Sequence, residues 1–128
     1  MSDICTFHDQ AMQIMHEAFS LKNDDQLEEA KQKFLQARDL EEKSAFLVEK
    51  NPTSEPSRSM LFLGAASLAW HGEDLESTER LIGEGLSGYP PDNVRDDLFK
   101  LLDNVKSARA AQKNSQTLRE AEAEMHLY

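Results

Sequence analysis

Cysteine occurs once in these 128 residues, at Cys5, so the chain can close no internal disulfide and build no cysteine-based metal site. No apolar run approaches the ~20 residues that a membrane-spanning helix needs. The first residues show no charged segment leading into an apolar one, as a secretory signal would, and this predicts a cytoplasmic protein. Alternation of apolar and polar residues never survives beyond a few positions, which argues against β-strands. Only five glycines are present, and Gly83, Gly85 and Gly88 fall in or at the end of a helical pattern, so no phosphate-binding loop is expected.

Positive charge is also scarce. Against 24 acidic residues stand 14 Lys and Arg, for a formal charge of −10. Residues 1–50 carry 11 acidic and 6 basic side chains, 51–90 carry 6 and 2, and 91–128 carry 7 and 6. Without clustered cations the chain cannot neutralise a phosphate backbone, so nucleic acid is not expected as a partner. A basic or unstructured polypeptide is the better electrostatic match; the plainer reading is that the acid keeps helix faces solvated.

What the sequence does have is helical periodicity over one domain. The first helix is expected from about Asp3 to Leu21, with Ala11, Ile14, Met15, Ala18 and Leu21 on one side. A break at Lys22–Asp25 follows, with Asp24 or Asp25 as N-cap. A second helix then carries Leu27, Ala30, Phe34, Ala37, Leu40, Ser44, Leu47 and Val48, ending near Lys50. Pro52 and Pro56 bar helix interior, and Ser54 is the expected start of a third helix running through Trp70. Between Pro52 and His71 that helix holds only Glu55 and Arg58 as charges, so it should be the most buried. Gly72 is expected to take the left-handed C-cap conformation. Leu75, Thr78, Leu81, Ile82, Gly85 and Leu86 form a fourth helix, closed by Gly88, Tyr89, Pro90 and Pro91. The fifth begins at Asp92 or Asn93 and turns Val94, Leu98, Leu101, Leu102 and Val105 inward. Beyond it the apolar pattern thins.

Ala30, Phe34 and Ala37 recur as Thr78, Ile82 and Gly85, the same small–large–small spacing, 48 residues on. Phe62 and Ala66 supply a bulky and a small residue on the preceding helix, and Pro90 closes the unit. This pattern resembles a tetratricopeptide repeat (TPR), of the kind found in small bacterial helical proteins. The resemblance implies an all-α, TPR-like fold of antiparallel helix pairs in a right-handed superhelix of about five helices. Repeat-like units would span residues 11–50 and 59–92, with a capping helix over 92–106 completing a domain of residues 1–110. Residues 111–128 would be a helical or frayed tail. The earlier copy lacks a closing proline, and Ala69 and Thr78 stand where the family usually has an aromatic and an alanine.

In TPR proteins the first helix of each pair lines the concave face. By spacing, that places Met12, Met15 and Phe19 with Met60, Leu63, Ser67, Trp70 and His71 along a groove. Methionine and aromatic side chains suit an adaptable apolar surface for a partner helix. The family's clamp for C-terminal carboxylates needs Lys and Asn, where this chain has Met15, Phe19 and Gly64, so that activity is not expected. The resemblance thus implies a non-enzymatic protein–protein interaction module without cofactor or metal. Its partner would be a peptide, a helix or a second copy of the chain; the alternative is a small apolar ligand in a cavity near Trp70. The equal alternative is that the terminal helices pack over these residues as ordinary core.

Other constellations carry less. His8 and His16 sit two helical turns apart and cannot share an ion without distant ligands. Ser67 and His71 are one turn apart, which suits a local hydrogen bond, and no oxyanion-hole segment accompanies them. Arg58 and Arg80 could anchor a partner's carboxylate or pair with Glu55, Glu76 or Glu84.

Overall fold

The computed structural model describes residues 3–125. Among these, five α-helices and one short 3-10 turn account for the regular structure, and no strand forms. The helices are α1 (Asp3–Asn23), α2 (Leu27–Phe46), α3 (Ser57–His71), α4 (Leu75–Leu86) and α5 (Asp92–Met125). None is long and apolar enough to cross a membrane. Each helix packs on the next in sequence, and α3 also touches α5. Three-residue turns after α1 and α3 make α1–α2 and α3–α4 antiparallel neighbours.

Those two turns are built alike. Asp25 takes the left-handed conformation at φ 61°, and Glu73, 48 residues later, does so at φ 60°. After each, the next amide reaches back across the helix end: Gln26 N–H to the Leu21 carbonyl at 2.9 Å, and Asp74 N–H to that of Ala69 at 3.0 Å. Asp25 N–H bonds to Lys22 and Glu73 N–H to Trp70, completing the same paired closure twice. The offset equals that of the two small–large–small triplets, so the internal repetition extends to backbone geometry.

Several expected boundaries move. Asp25 is spent on the left-handed turn, and Gln26 becomes the residue before α2, with no side-chain cap. Gly72 is not the left-handed residue, having φ −80°. It is small for another reason, since a Cβ there would stand 2.5 Å from Leu35 Cδ2. Pro52–Ser54 forms the 3-10 turn, and α3 starts at Ser57 rather than Ser54. Residues before proline are pushed towards extended backbone, and both Asn51 (ψ 161°) and Glu55 (ψ 151°) comply. α2 ends at Phe46, short of the expected Lys50. Glu55 instead accepts from the Ser59 and Tyr89 amides, at 2.8 and 3.0 Å, clipping the start of α3 to the end of α4.

The core has two parts. Phe62, Ala65, Ala66 and Ala69 of α3 pack with Leu81 and Ile82 of α4 and with Val94, Leu98, Leu101 and Val105 of α5. A smaller cluster joins Ala18, Ala30, Phe34 and Ala37 with Leu68. Alanine and Gly85 at the crossings let helix axes approach closely, and Phe34, Phe62 and Ile82 fill the space between. Arg58 is buried in the C-terminal part. It donates to the Glu84 carbonyl at 3.2 Å, lies near the Glu84 carboxylate, and rests on the Phe62 ring. Arg80 pairs with Glu42 of α2 at 2.6 Å. Of the carboxylates expected beside these arginines, Glu84 takes Arg58, and Arg80 reaches across to the neighbouring helix. α5 continues as one helix to Met125 and is exposed from Arg109 onward.

Candidate functional site

On α1, Met12, Met15 and Phe19 follow a spacing of three and four, and so share a face. On α3, Met60, Gly64, Ser67 and His71 do the same. These two faces border a hollow of about 300 Å³ whose lining also includes Glu41 from α2. A second hollow of about 330 Å³ adjoins it, sharing His8, Glu41 and Met60 and reaching Ile4, Cys5, Ser57 and Leu61. Together they make a trough between α1 and α3 with α2 as its floor. Met60 stands at its rim, 55% exposed.

Six of the eight residues expected along a groove therefore meet here: Met12, Met15, Phe19, Met60, Ser67 and His71. The other two face elsewhere. Leu63 packs against the C-terminal core. Trp70 lines a separate hollow of about 560 Å³ with Lys22, His71, Leu75, Ala108 and Ala111. Ala108, Ala111 and Gln112 of α5 border that hollow on the side of α3 that carries Trp70. The trough is not filled by the terminal helices: α1 is one wall, and none of the residues lining it comes from α5.

The floor is the unexpected part. Glu41 is only 2% exposed, and its Oε1 lies 2.7 Å from His8 Nδ1. Burial pushes its carboxyl above the usual range, opposed by His8. Gly64 makes room, since a Cβ there would stand 3.0 Å from Glu41 Oε2. Ser44, one turn on, donates to the Ile4 carbonyl at 2.7 Å and fixes the start of α1 against α2. At the far end His71 is stacked on Phe34 and meets the edge of Phe19, with ring centroids 5.1 and 5.2 Å apart. Burial, reinforced by Lys22, holds the His71 ring below its ordinary pKa and favours the neutral form.

Glu41 had a signal in the sequence. Ala30, Phe34, Ala37, Glu41, Ser44 and Val48 run at spacings of four and three, so a carboxylate falls where the inward stripe needs an apolar side chain. Leu40, which drew the eye instead, lies beside that stripe. His8 pairs with Glu41 and not with His16, which is exposed. Among the described residues no three His, Cys, Asp or Glu side chains converge as a metal site would require. Comparison with protein-family models, curated proteins and solved structures finds no significant match to this chain.

Proposed function

We propose that this chain is a non-enzymatic interaction module in which TPR-like helix pairs present the α1–α3 trough to a helix of a partner protein. The observation that carries the reading is an open trough walled by Met12, Met15 and Met60, with aromatic side chains at one end. Methionine is unbranched and polarisable, so such a wall can repack around a guest helix at little cost. The twofold use of one turn geometry at a 48-residue offset supports the repeat reading. Scaffolds of repeated helix pairs commonly work by offering such a surface.

The trough's dimensions agree. Cys5 and Phe19 are 14 helical rises apart, which at 1.5 Å each is about 21 Å, or roughly four helical turns. Carbon-13 methyl spectra of Met12, Met15 and Met60 provide the test. Helical peptides that bind the chain should shift all three resonances together. The hollow beside Trp70 favours the second reading, a small apolar ligand. If long-chain alcohols quench Trp70 fluorescence, while no binding peptide moves the methionine methyls, the second reading replaces the first.

A further inference from the structure

We infer that the helix received by the trough is basic, and that one lysine or arginine on its apolar face seats on Glu41, taking the place His8 holds in the unoccupied protein. This rests on the trough being a helix-binding surface and names the chemistry of its guest. Among the residues lining the two hollows, Glu41 is the only carboxylate. The other ionisable side chains facing it are His8 and Cys5 on α1 and His71 on α3, so the trough offers one negative charge and no cation stronger than imidazole.

A carboxylate in this position needs a reason. At a stripe position where Ala or Leu would pack well, it accepts a large desolvation cost for a single neutral-to-cationic partner. The side chains over it are removable. His8 is 41% exposed and Met60 55% exposed. Gly64 of α3, whose Cβ would stand 3.0 Å from Oε2, places no side chain of its own against the carboxylate. A guest lysine would lay its methylenes along Met12 and Met60 and bring its ammonium to Glu41, an amphipathic fit to an apolar wall with an ionised floor. Arginine would do the same with a flatter head. The chain's formal charge of −10 attracts a basic segment before contact is made.

The test is selection from a displayed library of randomised amphipathic helices, run in parallel on the full-length wild-type chain and on Glu41→Gln. Wild-type selection should return helices with a lysine or arginine fixed at one position among apolar residues. Those helices should shift the Met12, Met15 and Met60 methyl resonances and lose on the order of tenfold or more in affinity on Glu41→Gln. Selection on the variant should return a neutral residue at that position. His8→Ala, which removes the competing partner, should tighten the wild-type binders. Circular dichroism and thermal melts establish that both variants fold. Binders that move the methionine methyls but show no cation preference overturn the inference and leave the trough reading standing. Binders that leave those methyls unmoved, or no binders at all, remove both.

Discussion

The two helix pairs share one turn geometry and differ in what they bury. The α3–α4 pair, closed by α5, buries Phe62, Leu81, Ile82, Leu98 and Val105, together with the polar side chains of Arg58, Ser59 and Thr78. The α1–α2 pair buries mostly alanine around Phe34 and places Glu41 and Ser44 inside. One half is built for stability. The other gives up apolar burial where the trough runs, and ionisable groups left inside at a cost to folding are candidates for function. The difference teaches where to look: the buried carboxylate, Glu41, lies in the half with the smaller apolar core.

The largest effect should come from the apolar half. Phe62→Ala removes a fully buried ring that also carries Arg58 and meets Phe46 edge-on, and should cost about 3–5 kcal/mol in urea unfolding. Since typical domains have only about 5–15 kcal/mol in total, this variant should lose a large fraction of the chain's stability. A loss below ~1 kcal/mol would mean that the apolar half does not dominate stability.

Next come the equivalent helix starts. Asp74 accepts from Ser77 N–H at 3.1 Å and Ser77 O–H at 2.8 Å, and binds Arg38 at 2.8 Å. Its equivalent Gln26 makes no cap bond. Asp74→Ala should therefore cost about 1–2 kcal/mol, and Gln26→Asp should add up to about 1 kcal/mol. Thermal melts of the two variants check the pair. If Gln26→Asp fails to stabilise while Asp74→Ala destabilises, the two starts are less alike than their turns.

The two halves should also respond to acid with opposite sign. Burial holds the Glu41 carboxyl above its ordinary value of 4.5, so the folded state binds its proton more readily than the unfolded state does. Glu41 therefore opposes folding at neutral pH, and that opposition fades as pH falls through the raised pKa towards 4.5. For Asp74, burial pushes upward, but the bonds from Ser77 and Arg38 outweigh it and hold the carboxyl below 3.8. Its stabilisation is complete above 3.8 and is lost as pH falls below that value. Glu41→Gln should accordingly raise stability at pH 7 by up to about 1 kcal/mol, with the gain shrinking towards pH 4.5. Chemical unfolding of both chains from pH 7 to pH 4 measures the difference. A wild type more stable than the variant at pH 7 would make Glu41 a structural residue.

Much of this was legible in the sequence, and the failures have physical causes. Apolar spacing located all five helices, and the small–large–small triplets announced the repetition. Turn chemistry was harder. Glycine is the usual left-handed residue, yet Asp25 and Glu73 take that role, because the paired back-bonds of the closure outweigh the preference. Gly72 is instead selected by the approach of Leu35, a contact no local pattern reveals. In the site, spacing along α1 and α3 found the walls. It missed the floor, because Glu41 reads as a surface charge until α1 and α3 are seen to cover α2. Trp70 lies off the trough face of α3 and borders a different hollow, beside Leu75 of α4 and Ala108 and Ala111 of α5.

The smallest effect should come from the end of α5. Its last side-chain tie to the rest of the fold among the described residues is Arg109 to Glu79, at 2.9 Å. Beyond it the helix is held only by its own turns, with Thr117 donating to the Lys113 carbonyl and Gln116 to Glu120. A helix of that length is marginal alone and adds little to what it extends. Deleting residues 113–128 should shift unfolding by no more than about 0.5 kcal/mol, with ellipticity falling only in proportion to the residues removed. One feature could reverse this. Ala111, Leu118 and Met125 recur every seven residues, and Leu118 and Met125 are 65% and 76% exposed. If a second copy covers that line, the full chain will melt at a temperature that rises with concentration, and the truncated chain will not. Melts at several concentrations, with light scattering on both chains, decide between a solvated extension and a dimer contact. The sparse apolar line, and a last side-chain tie at Arg109 among the described residues, favour the extension.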